Sequence, residues 1–313
     1  MPGESMRADG FEAAIETVDG ELVGPWRHPR QMLQDQAYGG HTTIHDEETA
    51  RSLGFRSGTI EGPTHFSQFV PLCAALWGRD WHERGCISVH FREPVYDGDA
   101  VRARLALPQP GAATARIRME NRRGATVLEG DVSLASHAGP TELERRLANL
   151  APVAERVVLR DIEIGMRSGR RPVAMPFGRT MGALYPFTLE DKLARITEPS
   201  PFHEPSGSSP WGYPTIPLEM ASVLMKYTDE DPPFPVPPEV VSLIADQEIR
   251  LLDGPLFVGR PYEIDKEVVA FSASRRTESM WIRTRLYEAG TGRLVATMLV
   301  NEASLKETLA ARA

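Results

Sequence analysis

Two stretches of this 313-residue chain carry residue types that chemistry could use. The first is Glu198-Pro-Ser-Pro-Phe-His203, which sets a carboxylate and an imidazole five positions apart. Such groups can divide two proton transfers, because histidine titrates near neutrality and a partly desolvated glutamate can be tuned up toward it. The same segment, extended to Pro210, holds four prolines and four serines in thirteen residues, so an exposed loop is the competing reading. The second stretch is His41, His45 and Asp46, whose types suit a metal. Asp46-Glu47-Glu48 reads better as the acidic first turn of a short helix, and no metal site is assigned.

The remaining chemically able residues read as structural. His65 and His90 lie in apolar or strand-like surroundings, and Trp211 and Trp281 read as packing residues. Cys73 and Cys86 are the only cysteines, too few for a disulfide framework or a cysteine-based zinc site. Cys73 falls in an apolar run where a thiol packs as a small hydrophobe. No nucleophile elbow, phosphate-binding loop or dinucleotide fingerprint is present, so triad hydrolysis, nucleotide transfer and dinucleotide redox chemistry have nothing to rest on.

The elements that must hold such groups are written twice. Gly62-Pro-Thr-His-Phe-Ser-Gln-Phe-Val-Pro-Leu-Cys-Ala-Ala-Leu-Trp77 and Gly212-Tyr-Pro-Thr-Ile-Pro-Leu-Glu-Met-Ala-Ser-Val-Leu-Met-Lys-Tyr227 each start on Gly/Pro-Thr and continue as an apolar run of helix length. Both runs are apolar almost all round, which predicts helices wrapped by other structure. Strands are expected at Ile87–Arg92, Ala100–Leu107, Ala115–Glu120 and Thr126–Ser136, then at Val241–Leu251, Tyr262–Phe271, Ser279–Glu288 and Arg293–Asn301. Their final hairpins overlay without a gap, Glu120 over Glu288 and the turn glycine Gly124 over Gly292. Between the copies, Glu142–Leu150 reads as a short helix and Val157–Ile164 as the first strand of the second copy. The Arg167-Ser-Gly-Arg-Arg171 turn reads as a solvated loop, and Asp229–Pro238, with five prolines in ten residues, as a loop.

Composition bounds the answer from outside. The chain is 41% hydrophobic, 25% charged and 7% aromatic, with 26 Gly and 26 Pro, which is the range of globular proteins and excludes disorder. A net charge of −8 repels a polyphosphate backbone, so nucleic acid is not an expected partner. The longest apolar run, Phe69–Trp77, is far below the roughly 20 residues that cross a bilayer, and a cytoplasmic protein without a membrane segment is expected.

The order of these elements resembles the hot-dog fold in its fused double form, and three stretches are similar to the MaoC-like, (R)-specific enoyl-CoA hydratase and dehydratase family. Ile44-His-Asp-Glu-Glu-Thr-Ala-Arg-Ser-Leu-Gly-Phe55 with Gly58-Thr-Ile-Glu-Gly-Pro-Thr-His-Phe66 resembles the run from catalytic loop into central helix. Val89-His-Phe-Arg-Glu-Pro-Val-Tyr-Asp-Gly-Asp99 resembles the strand and turn that follow. Glu198-Pro-Ser-Pro-Phe-His203 is similar to the family's acid-x-Asn-Pro-x-His segment, with Glu for the usual Asp, Ser200 for Asn and Thr197 for the preceding Gly. In copy one, the position five before His45 is Gly40, which cannot titrate, and His45 abuts Asp46 directly.

The resemblance implies an α+β double hot-dog, each repeat a long central helix wrapped by a curled antiparallel sheet. Residues 1–140 would be a substrate-holding, non-catalytic repeat, 141–174 a linker and 175–313 the catalytic repeat. It implies a lyase that hydrates a 2-enoyl thioester or dehydrates a 3-hydroxyacyl thioester, with Glu198 and His203 as acid and base. Helix-start amides would stabilise the developing oxyanion, which in copy two places Gly212 and Tyr213 there. Ser200 and Gly62 complete the expected substrate contacts. No cofactor is needed beyond the CoA or phosphopantetheine of an acyl-CoA or acyl carrier protein substrate. A fused repeat satisfies hot-dog pairing as a monomeric pseudo-dimer or as a homodimer of such chains. A hot-dog thioesterase, a non-catalytic acyl-binding subunit and an enzyme of specialised metabolism are the rival readings.

Overall fold

The computed structural model of the protein describes residues 5–36, 43–134, 139–205, 209–227 and 233–310. In the first half the strands are β1 (Ser5–Met6), β2 (Ile15–Val18), β3 (Glu21–Val23), β4 (Gly85–Phe91), β5 (Val101–Ala106), β6 (Thr114–Asn121) and β7 (Thr126–Leu134). In the second they are β8 (Arg171–Val173), β9 (Ser242–Leu251), β10 (Tyr262–Ala273), β11 (Thr277–Glu288) and β12 (Leu294–Leu305). All join one sheet in the order β1-β2-β3-β5-β6-β7-β4-β9-β12-β11-β10-β8. Read outward from the centre, β4-β7-β6-β5 on one side repeats as β9-β12-β11-β10 on the other. The internal duplication expected from sequence is therefore a pseudo-twofold about the β4–β9 seam.

That seam is antiparallel, with Val89 opposite Gln247 and His90 opposite Asp246. His90 Nδ1 meets the buried Asp246 carboxylate at 2.8 Å, so His90 is a seam residue at the centre of the sheet with a structural partner. The strands expected from alternation all form, with ends displaced by a few residues. Leu105 and Met119 on the inner face of the first half and Ile249 and Leu286 in the second are fully or almost fully buried in one shared core. Both cysteines are free and buried in this packing.

The helices differ between the halves. In the first, a 3₁₀ segment at Gly62–Phe69 runs into α2 (Val70–Trp77) and then α3 (Arg79–Arg84). Pro71 near the start of α2 marks the change of winding, since proline removes an amide donor. The second half has one nine-residue helix, α6 (Leu218–Lys226), which ends where the Lys266 ammonium donates to the carbonyls of Lys226 and Tyr227 at 3.0 Å each. A cation at a helix C-terminus satisfies the free carbonyls and complements the dipole. A long central helix in each repeat is thus corrected to a long one and a short one.

Other helices are α1 (Glu47–Ser52), α4 (Glu142–Ala148), α5 (Leu189–Leu193) and a C-terminal α7 (Lys306–Ala310). Asp46 caps α1 by accepting the Thr49 amide at 2.8 Å, which fixes the acidic-turn reading of that stretch. Val157–Ile164, expected as a strand, is not one: the amides of Val157, Val158 and Leu159 all donate to the Glu278 carboxylate. Those amides are satisfied by a side chain, leaving none to pair along a sheet, and the second copy's edge strand is β8 instead.

Candidate functional site

The two repeats place equivalent histidines in equivalent settings. His45 Nδ1 lies 2.7 Å from the Thr59 carbonyl, and His203 Nδ1 lies 2.9 Å from the Thr215 carbonyl. Each threonine amide returns to the segment carrying the histidine, Thr59 to Ile44 and Thr215 to Phe202. Each threonine also bridges the following turn, at Tyr96 and Phe257 respectively. A carbonyl oxygen only accepts, so Nδ1 carries the proton and Nε2 the lone pair in both rings. Burial lowers both pKa values, that of His203 to about 4, so both are neutral bases at pH 7.

The surroundings then diverge. His203 and Glu198 come together, as their spacing requires, in a pocket of about 40 Å³. Ser67, Val70, Trp81 and His82 of the first-half helices close it from above. Glu198 is only 3% exposed, and both its oxygens are taken by Arg27, Nε at 2.6 Å and Nη2 at 2.9 Å. Arg27 is itself fixed by two backbone hydrogen bonds to Val101. Desolvation raises the Glu198 pKa while the Arg27 guanidinium works against that rise. The pair has room for about one water and none for an acyl chain.

His45 instead faces a cavity of about 410 Å³, in the range of small-molecule sites. It opens where α6 stops: Met225 and Lys226 reach it, and beyond them Phe234 and Val236 line it as loop residues rather than as further helix. Its far wall is the sheet face bearing Met280, Ile282, Met298 and Val300. Glu61 lines the same cavity, near enough for its charge to act on His45, and has no cationic partner among the described residues. One Glu61 oxygen accepts the Tyr185 hydroxyl at 2.7 Å. Tyr185 is buried, and desolvation with the Glu61 charge pushes its pKa well up, so it stays a proton donor. Burial is the largest influence on His45; the Thr59 carbonyl and the Glu61 carboxylate oppose it and the Lys226 ammonium adds to it.

The expected substrate contacts distribute unevenly. Gly62 borders the large cavity, and a Cβ there would sit 2.7 Å from the Phe91 ring, so the helix start must be glycine to lie this close. As the first residue of its helix it has an amide without an intrahelical acceptor. Ser200 is a cap: its Oγ accepts the Phe202 amide at 3.2 Å and starts the short 3₁₀ turn Pro201–His203. The helix-start position expected for Gly212 and Tyr213 is corrected. The helix begins six residues after Gly212, at Leu218, because Thr215 and Ile216 run extended against Phe257 and Leu256. The Gly212 amide donates to Ser209, and Tyr213 is 60% exposed, its ring edge-on to Phe257. Neither lies at a helix start or lines either pocket. Gly40 and His41 lie outside the described residues.

Sequence reasoning missed Arg27, Glu61, Tyr185 and Lys226. Glu61 had the one available signal, a carboxylate directly before a Gly-Pro helix start; the others become functional candidates only through contacts far along the chain. No helix among the described residues is long and apolar enough to cross a membrane.

No protein-family profile matches the chain, and no curated protein sequence matches it. Solved structures do. A conserved hypothetical protein of Mycobacterium tuberculosis described as a double hot-dog fold shares 12% identity over 97% of both chains, with a TM-score of 0.55. A protein described as a MaoC domain dehydratase from Chloroflexus aurantiacus shares 12% identity over 97% of this chain and 95% of that one, with a TM-score of 0.50. A protein described as a thioesterase from Novosphingobium aromaticivorans, 17% identical over 94% and 98% of the chains, superposes at 0.45. The likeness at these identities is one of fold, and the fold is the double hot-dog.

Proposed function

We propose that this double hot-dog binds an acyl thioester in the large cavity and adds water to, or removes it from, the acyl chain next to the thioester carbonyl. The observation that carries this reading is that a neutral imidazole, His45, and a carboxylate with no cationic partner among the described residues, Glu61, both line one acyl-sized, largely apolar cavity. Hydration of a 2-enoyl thioester adds the oxygen of water to C3 and a proton to C2, and both come from the same water. One of the two bases, the Nε2 lone pair of His45 or the Glu61 oxygen not held by Tyr185, takes the proton as the oxygen adds and, now protonated, returns it to C2, while the other holds the water in place. The Gly62 amide at the cavity edge, with no acceptor among the described residues, provides a donor for the thioester oxygen as negative charge grows there. CoA or a carrier-bound phosphopantetheine enters as part of the substrate.

The pair expected from sequence, Glu198 and His203, is the alternative location, and the experiment separates the two. Wild type, His45→Ala, Glu61→Gln, Glu198→Gln and His203→Ala are assayed on crotonyl-CoA and longer 2-enoyl-CoAs by loss of the conjugated thioester absorbance. Losses of a hundredfold or more are expected for the first two variants, the size of a lost acid/base group, and small ones for the last two. The reverse pattern moves the reaction to the Glu198 pocket.

A cavity carboxylate with no cationic partner among the described residues also suits a thioesterase, in which Glu61 would activate water toward the thioester carbon. Released thiol, followed in the same cuvettes, decides: thiol release with the enoyl absorbance intact replaces hydration by hydrolysis.

A further inference from the structure

We propose that Lys226 and Glu302 form a subsite for a hydroxyl group on the acyl chain, so that the substrate is an oxygenated acyl thioester rather than a plain fatty one. The proposal rests on the acyl-thioester reading above and narrows its substrate class.

The far wall of the cavity is made by two neighbouring strands. The residues that face inward alternate as strand geometry requires: Met280, Ile282 and Thr284 on β11, Met298, Val300 and Glu302 on β12. Four residues along a strand cover about 13 Å. Most of that wall is thioether and branched alkyl surface, which suits methylenes. Glu302 interrupts it at one end, opposite Met280 in the ladder, and Lys226 reaches the same place from the last turn of α6.

The two charges are neither sealed nor satisfied. Nζ lies 3.3 Å from Glu302 Oε1, longer than the roughly 2.7–2.9 Å of a tight charge-assisted bond, and the side chains are 18% and 26% exposed. Neither has a second ion-pair partner among the described residues. An ammonium offers three donors and a carboxylate accepts at both oxygens, so one loose contact leaves most of that capacity to water. An alkyl chain filling the cavity would strip this water and return nothing, a cost the site would carry for no gain.

The chemistry of the pair selects the group that fits. A carboxylate on the ligand would meet Glu302, and an amine would meet Lys226. A carbonyl could accept from Lys226 but offers no proton to Glu302. A hydroxyl does both, accepting from the ammonium and donating to the carboxylate, and it is small enough to sit between them. Sites built around a hydrogen-bonding hydroxyl discriminate strongly against the analogue that lacks it, because their own polar groups are then left bare.

The test uses binding, so that it does not depend on turnover. Straight-chain saturated acyl-CoAs of four to ten carbons and their ω-hydroxy counterparts are titrated into wild type by calorimetry, the growing chain carrying the hydroxyl stepwise along the cavity. At one chain length the ω-hydroxy ligand is expected to bind about tenfold or more tighter than its parent. Lys226→Met/Glu302→Leu, which leaves no charge stranded, is expected to lose that preference while holding the plain chains at least as well. Lys226→Met alone, checked for folding by its melting temperature, gives the same loss. Equal binding of both series at every length overturns the proposal, as does a hydroxyl preference that survives the double variant. A double variant that loses plain and hydroxylated ligands equally also overturns it, since the pair would then be holding the CoA part. If no acyl-CoA binds wild type, the acyl-thioester reading fails, and the subsite fails with it.

Discussion

His45 and His203 are the same histidine twice, each with Nδ1 on a threonine carbonyl that is stitched back to the histidine's own segment. One faces about 410 Å³ of space and the other about 40 Å³. The cause is not in the histidine segments but in the helices laid across them. The first-half helical run continues through α2 and α3, far enough for Trp81 and His82 to cover His203. The second-half helix stops at Lys226, where its carbonyls are capped by Lys266, and what would have been covered becomes a cavity. A duplicated fold can therefore keep two copies of a local motif and assign them different work by changing the length of one helix. Here the half expected to hold the acyl chain supplies the open histidine, and the half expected to be catalytic supplies the cavity wall.

The comparison is most sharply broken by filling the open side. Val300 is 2% exposed and lies on the cavity wall. Val300→Trp is expected to weaken acyl-CoA binding by a hundredfold or more while lowering the melting temperature little, because the indole enters existing space. Calorimetric titration beside a thermal melt checks this; unchanged affinity would mean that the acyl chain lies elsewhere.

A smaller effect is expected at the closed side, and it falls on stability. Glu198 is buried and both its oxygens depend on Arg27. Arg27→Met strands that carboxylate, at a cost of about 3 kcal/mol. Adding Glu198→Gln removes the stranded charge, so the double variant should recover most of the loss. Urea unfolding of wild type, single and double variants measures it, and additive losses would show that the ion pair is not what closes the pocket.

How far the sequence revealed these differences depends on the range of the contact involved. Strand β5 and the second half of β11 were legible because alternation is local and their buried face repeats every second residue. The hairpin of β2 and β3 was overlooked although Asp19-Gly20 carries its turn, with φ of 51° and 79°. Val157–Ile164 misled because Val158, Leu159 and Ile162 are buried in a small core of their own, which imitates a strand's apolar content. Glu198 and His203 could be picked out by spacing, but the Arg27 that closes over them is 171 positions away. Glu61 stood in plain view before a helix start, yet nothing local says that its charge faces a cavity instead of solvent.

The least of the expected effects is the acid response of the closed-side histidine. Burial holds His203 at about 4, with the Thr215 carbonyl opposing and the His82 charge adding, whereas an unfolded histidine titrates near 6.5. Between those values the unfolded chain binds a proton that the folded chain refuses, so stability rises with pH across the window and is lost as pH falls through it. From pH 6.5 to 5 the loss amounts to about 2 kcal/mol from this one residue. His65 and His82, held at about 3 and 4 by burial, act in the same sense. Glu219, pushed up to about 7 by burial, acts in the opposite sense, since its folded form takes up a proton first as pH falls from 7 toward 4.5. Total stability is therefore a poor reporter, but the difference between wild type and His203→Gln at each pH cancels the shared groups. That difference should move steadily in the variant's favour from pH 6.5 downward. A flat His203 curve would mean that its ring gains a proton as easily in the fold as out of it, in which case water reaches the small pocket as freely as the large one and the two sites are not closed and open copies at all.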